Sequence, residues 1–283
     1  MVPGSYERPV ELEHALSLLA QAPRQVLAGG TDVYPALGDH GVLGPVLDVT
    51  AIPGLRGISD EGDHWRIGAT TTWSDLLGAT LPASLDCLRS AGREVGGIQI
   101  QNTGTIAGNL CNASPAADGV PPLLALDARV ELSSVKGRRE LSLDTFITGP
   151  RQTKLAADEL LSAVLIPKSG AQGVSSFLKL GSRKYLVISI VMVAVALEPA
   201  SDRTIRNLRI SVGSCSAVAC RLSELESELQ GCSIEDLGRS PFSDRFFKPL
   251  TPIDDVRSSA CYRLDAAAEL VRRAILICTE ALL

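Results

Sequence analysis

The segment GGIQIQNTGTIAGNLCNASPAAD, residues 96–118, restricts what this chain can become more than any other. It holds four glycines and three asparagines, and no lysine, arginine or histidine. Glycine tolerates φ > 0 and lets another group approach the main chain. Successive N–H groups in such a stretch form a concavity suited to anions. A second turn of the same kind, VLAGGTD at 26–32, follows a short strand pattern. Thr31, Thr105, Asn109 and Ser114 add neutral donors. That chemistry suits a pyrophosphate bound by amides with little cationic help. Neither segment is a GxGxxG following a strand, and GxxxxGK[ST] is missing. The residues therefore leave two readings open: ordinary glycine turns, or a two-part cradle for a phosphate-bearing ligand.

The rest of the chain reads as α+β. Leu12, Ala15, Leu16 and Leu19 recur at helical spacing and predict a helix that Pro23 ends. A helix is expected from Thr31 or Asp32, both good N-caps. HWRIGATTTWSDLL predicts a strand, Trp65–Ala69, running into a helix capped by Thr72 or Ser74, and LDCLRSAGREVG predicts a helix ending in glycine. PPLLALDARVELSS predicts a short helix and an alternating strand. Beyond 173, long strands of one sheet are expected, then a helix ended by Gly231 and an amphipathic C-terminal helix. The small and turn-forming residues of PKSGAQG, 167–173, place a domain boundary at 172/173.

Composition excludes several classes. The 283 residues are 45% hydrophobic and 21% charged, a globular balance with ample material for a core. A net charge of −5 provides no basic footprint for nucleic acid. The run YLVISIVMVAVAL, 185–197, is too short for a bilayer and predicts a buried strand. MVPGSYERPV has no apolar core of signal-peptide type. The seven cysteines form no CxxC, so they are expected as small core residues of a reducing, cytoplasmic protein without metal. The three histidines, His14, His40 and His64, sit in unrelated contexts and are expected to be surface or structural residues.

AGGTD, TIAGNLCNASPAAD, PPLLALDARVEL, FLKLGSRK and SSACYRLDAAAELVRRAI occur in this order along almost the whole chain. Together they resemble the landmarks of the FAD-binding medium subunit of the molybdenum hydroxylases, the xanthine dehydrogenase and carbon monoxide dehydrogenase family. The resemblance implies a two-lobed p-cresol-methylhydroxylase-type FAD-binding domain, 1–172, with lobes of about 1–55 and 56–172. A CO-dehydrogenase-flavoprotein-type domain, sheet plus helices, would follow over 173–283. It assigns Val26, Leu27, Ala28, Gly29, Gly30, Thr31, Asp32 and Val33 to a first FAD loop. Thr105, Gly108, Asn109, Asn112 and Asp118 would form the second, with Val95, Gly96 and Ile100 leading to it. Leu161 would lie against the cofactor and Lys179 would reach the flavin ring. No catalytic or metal-binding residue is implied on this chain.

Physical chemistry offers rivals for some of these roles. Asp118, when ionised, only accepts hydrogen bonds, which suits cofactor hydroxyls or amides, but it also suits a turn before Pro121-Pro122. Lys179 could stabilise negative charge on a reduced flavin or be a solvated strand lysine. Val95 and Ile100 could be plain core, and Arg183 and Lys184 an exposed loop.

The resemblance further implies a heterotrimer. A molybdopterin-binding large subunit and a [2Fe-2S] small subunit would be the partners, and electrons would pass through FAD to NAD+ or another acceptor. The loop LGSRKYLVIS is basic then apolar, where NAD-reducing relatives can be acidic, so the acceptor stays open. Two other readings stand beside this one. A self-contained flavin oxidoreductase would need a base or covalent attachment near the ring, for which Cys111 is the nearby candidate. An interaction subunit without FAD is opposed by the intact glycines and Asp118.

Overall fold

The computed structural model describes residues 5–37, 44–168, 173–237 and 242–283. His40 and the 169–172 segment at the expected domain boundary lie outside the described residues.

The first lobe is a three-stranded parallel sheet with one covering helix. Its elements are β1 (Tyr6–Glu7), α1 (Leu12–Gln21), β2 (Gln25–Leu27), α2 (Val33–Leu37) and β3 (Val46–Asp48), with sheet order β1-β3-β2. The helical spacing works as expected. Ala15, Leu16, Leu18 and Leu19 are buried, and α1 stops at Gln21 ahead of Pro23. They pack on Leu47, Val49, Ile52, Leu55 and on Leu160 of the next lobe.

That lobe is a five-stranded antiparallel sheet carrying helices. It contains β4 (Ile58–Asp60), β5 (His64–Gly68), α3 (Trp73–Gly78), α4 (Asp86–Glu94), α5 (Ile98–Thr103), α6 (Ile106–Asn112), α7 (Val120–Ala125), β6 (Arg129–Ser134), β7 (Gly137–Ser142), α8 (Leu143–Phe146), β8 (Ile147–Gly149), β9 (Gln152–Thr153) and β10 (Leu160–Pro167). The order is β4-β5-β10-β6-β7. Thr72 caps α3 through a full capping box with Asp75, which decides between the two expected caps. Most of the 96–118 segment is the helix pair α5 and α6, and the turn expected over 102–109 is reduced to two residues. The two-residue break between them is held by main-chain bonds from Trp73 to Gly104 (3.2 Å) and from Ile106 to Thr71 (3.1 Å). The glycine just after the segment serves packing: a Cβ on Gly119 would sit 2.7 Å from the ring of Trp73, which is 1% exposed.

The C-terminal unit is a four-stranded antiparallel sheet in sequence order: β11 (Val174–Leu180), β12 (Val191–Pro199), β13 (Ile205–Gly213) and β14 (Cys220–Arg221). Helices α9 (Ser223–Leu229) and α10 (Ala260–Glu280) follow. Side chains alternate faces along a strand, and here each face of β12 meets a different core. Met192, Ala194 and Ala196 join the core that holds Leu88 and Leu123. Val193, Val195 and Leu197 join Ala267, Val271 and Ala274 of α10. Burial on both faces explains the continuous apolar run. The run was expected to be all strand, but β12 begins only at Val191, and Tyr185, Leu186 and Ile188 are exposed. The cysteines also divide. Cys87, Cys215 and Cys278 are buried, whereas Cys111, Cys232 and Cys261 are exposed and not core.

A buried cation fastens α10 to the sheet. Arg263 Nη1 donates to the carbonyls of Ile190 (2.6 Å) and Ser214 (3.2 Å), and Nη2 to Asp255 (2.8 Å). Burial works to raise the Asp255 pKa. The Arg257 amide and the guanidinium groups of Arg257 and Arg263 outweigh it and hold the carboxyl at about 2. A carboxylate held below its unfolded value, about 3.9, stabilises the fold above that pH and ceases to as pH falls through its folded value. Asp255→Asn is expected to cost about 2 kcal/mol at neutral pH, discounted from a fully buried pair for its partial exposure. The deficit should shrink between about pH 4 and about pH 2. Urea melts at pH 7, 4 and 2.5 check this, and a deficit constant with pH would refute it.

Candidate functional site

A cleft of about 930 Å³ opens between the first two lobes, with the β11–β12 loop on a third side. It lies at the upper end of the range for small-molecule sites, about 300–1,000 Å³. The β2–α2 turn supplies one wall through Val26, Ala28, Gly29, Gly30, Thr31, Asp32 and Val33. Thr105, Gly108, Asn109 and Asn112 on α6 supply the facing wall. Val95, Gly96, Ile100, Asp118 and Leu161 complete the predicted lining. Ile100 is 38% exposed, so it is not core.

The two walls touch at Gly29. A Cβ there would fall far inside van der Waals contact of the Thr103 carbonyl oxygen and 2.5 Å from its carbon. Only glycine lets the first turn rest on the end of α5. Gly108 differs. Its added Cβ would meet just the Thr105 side chain, at 2.7 Å, with no other neighbour within 4 Å. Gly108 therefore gives the cleft a surface without a side chain, while its amide is taken up within the wall. Thr105 caps α6 by accepting from Gly108 N (3.0 Å), and Asn109 Oδ1 accepts from Gly119 N (3.3 Å). Both side chains therefore shape the wall as well as lining it.

Two predicted residues do not line the cleft. Leu27 is 5% exposed, and its carbonyl accepts from Val49 in the first sheet. Lys179 is neither a solvated strand lysine nor directed into the cleft. Its side chain is 6% exposed, and Nζ donates to Asp118 Oδ2 (2.7 Å) and the Glu94 carbonyl (3.2 Å). The other Asp118 oxygen accepts from Ser189 Oγ (2.7 Å). Burial pushes the Asp118 pKa up, against the opposing pull of Lys179 and of the Lys179 and Ser189 hydrogen bonds. A buried charge persists when paired and hydrogen-bonded, and here the partners come from a different sheet.

Other residues of the site carry no motif. Arg24 and Arg151 bring positive charge to the lining that the 96–118 segment lacks. Arg151 donates to Asn112, and its amide to the Ala113 carbonyl (2.8 Å). Glu159, held by both arms of Arg139 (2.6 and 2.8 Å), also accepts from Ala156 N and fixes the 154–159 edge. Leu19, Val49, Leu155 and Leu160 add apolar lining, and Leu186, Val187 and Ile188 add more from the β11–β12 loop, where Leu186 and Ile188 are exposed at the mouth. Cys111 lines the cleft. Among the described residues no group of three or more His, Cys, Asp or Glu is placed to hold a metal, and no helix is long and apolar enough to cross a membrane. The chemistry on offer is main-chain amides, neutral donors, apolar surface, two arginines and the carboxylates of Asp32, Asp118 and Glu159.

Residues 3–169 match the family described as the FAD binding domain in molybdopterin dehydrogenase. Residues 176–278 match the CO dehydrogenase flavoprotein C-terminal domain. The chain is 32% identical over 275 residues to the nicotine 6-hydroxylase medium subunit of Paenarthrobacter nicotinovorans, with 95% of each covered. It is 30% identical over 277 residues to the xanthine dehydrogenase FAD-binding subunit of Escherichia coli O157:H7, covering 96% of this chain and 94% of that one. Among solved structures, a chain of a Cu,Mo-CO dehydrogenase superposes with a TM-score of 0.88 at 26% identity, over 99% of both chains.

Proposed function

Because the chain belongs to the FAD-binding medium subunits of the molybdenum hydroxylase family, we propose that it is the electron-transfer subunit of a heterotrimeric, xanthine-dehydrogenase-like complex. In this reading the molybdopterin active site and the [2Fe-2S] clusters sit on partner subunits in the cytoplasm. The chain divides at 172/173, with FAD held by the N-terminal part. Bound FAD supplies the redox chemistry, as a carrier between the partner's clusters and NAD+ or another acceptor.

The observation that carries this reading is the convergence of both glycine segments on one cleft. Its residues fit FAD. The Gly29–Asp32 turn presents bare main chain to a diphosphate, which amides can bind directly, and Gly108 keeps the facing wall free of a side chain. Arg24 and Arg151 add the cationic help that the two segments lack. The apolar lining suits flat ring systems and keeps water from them. Thr105 and Asn109 hold the wall in shape and need not touch the ligand.

A visible spectrum of the purified chain, with the released cofactor identified by mass, tests the proposal. Flavin bands and the mass of FAD are expected, at about one per chain. A colourless chain that takes up no added FAD, alone or with its partner subunits, would refute it.

A further inference from the structure

The connection between β11 and β12, residues 181–190, has both feet on one carboxylate. Lys179, two residues before the loop begins, donates to Asp118 Oδ2 (2.7 Å), and Ser189, next to its end, donates to Oδ1 (2.7 Å). Asp118 itself belongs to the α6–α7 connection and lines the cleft. Between the feet the loop folds back on itself. Val187 packs where a Cβ on Gly181 would be, and Arg183 Nε donates to the Leu186 carbonyl (3.2 Å). Leu186 reaches the main chain at Gly97, where an added Cβ would lie 3.3 Å from it. This arrangement leaves Leu186 (59%) and Ile188 (53%) exposed where they line the cleft, with Tyr185 (62%) exposed beside them in the chain.

An exposed apolar loop has little to hold it in one place, since water-accessible contacts contribute little to local stability. Charge-assisted hydrogen bonds are about twice as strong as neutral ones. Asp118 makes two, both away from bulk water. We propose that Asp118 is a positioning residue, whose carboxylate clasps both ends of the 181–189 loop and holds its apolar side chains over the cleft mouth. The clasp joins the FAD-binding part to the C-terminal sheet, so the position of the loop follows the docking of the two. This rests on the reading of the cleft as the cofactor site, but the clasp itself is a contact within the chain.

Ser189→Ala removes one foot and leaves the Asp118–Lys179 pair intact, so the variant keeps its buried charges paired. The full chain is digested with trypsin under native conditions, with and without FAD, and cleavage after Arg183 and Lys184 is followed by mass. Loss of one charge-assisted bond should speed that cleavage about tenfold. Flavin emission from the FAD-loaded variant should also be quenched more strongly by iodide, while FAD content stays at the wild-type level. Cleavage and quenching at wild-type rates would overturn the proposal. So would a Ser189→Ala chain that loses FAD with its loop no more exposed, because Ser189 and Asp118 would then serve the ligand alone. If the wild-type chain takes up no flavin, the cofactor reading fails, and the cleavage rates without FAD still judge the clasp.

Discussion

Gly29→Val will bind FAD about tenfold to a hundredfold more weakly than the parent, whereas Gly54→Ala will not differ from it. The two positions separate room from flexibility. A side chain at Gly54 meets nothing within 4 Å. One at Gly29 falls on the Thr103 carbonyl, a main-chain group that cannot rotate away. The 28–32 turn must then lift from the end of α5, and the walls of the cleft part at the point where they touch. Forcing extra carbons into a filled space costs about 1–3 kcal/mol. If that cost falls on the bound form, FAD affinity drops by about tenfold to a hundredfold. Titration of the chain with FAD, followed by flavin fluorescence, gives the affinity, and far-UV circular dichroism shows that the fold survives. Gly29→Ala should lie between the two. Wild-type affinity in Gly29→Val would mean that the wall contact is irrelevant to binding.

The second large effect is expected at Lys179. Lys179→Met keeps the length of the strand side chain and removes the cation beside Asp118, which is 8% exposed. Breaking a buried ion pair from one side costs about 3–5 kcal/mol, because the other charge is left buried. The pH dependence identifies the cause. Burial already pushes the Asp118 pKa up, and Lys179 opposes it, so loss of Lys179 drives it further up. A carboxyl raised in the folded state is best tolerated below its unfolded value, about 3.9, and the stability is lost as pH rises through the folded value. The variant should therefore approach the parent near pH 4 and fall behind it steadily toward pH 7. Adding Asp118→Asn should recover part of the loss, since no buried charge remains. Urea melts at several pH values decide the matter. An unfolding midpoint equal to the parent's at pH 7, or a deficit that is the same at every pH, would rule this account out.

Much of this molecule is legible in short stretches of residues. The period-3.6 spacing in 12–19 produces α1, Thr72 caps α3, and the apolar β11–β14 segments pair in sequence order. Those features depend on neighbours a few residues away, and local spacing carries them. The glycine segments are similar: AGGTD and TIAGN mark themselves by composition, and they do line one cleft. Their secondary structure was less legible. The 102–109 stretch looks like a turn, yet most of it is helical, because pairing with Thr71 and Trp73, some thirty residues earlier, confines the break to Gly104 and Thr105.

What composition and spacing could not reveal depends on groups far apart in the chain. The apolar run from Tyr185 to Leu197 divides into an exposed loop and a strand buried on both faces. Both halves are apolar, and the difference lies in whether helices from another part of the chain cover them. Arg24 and Arg151 reach the cleft with no motif around them, and Lys179 turns to Asp118 across 61 residues. A side chain's partner is chosen by which backbones the fold brings within about 3 Å of it, and charge pairing acts only at such short range when water is excluded. Local chemistry thus settled the elements and marked the two glycine walls. The packing of three sheets against one another settled which charges meet, which apolar residues remain in water, and where the cleft opens.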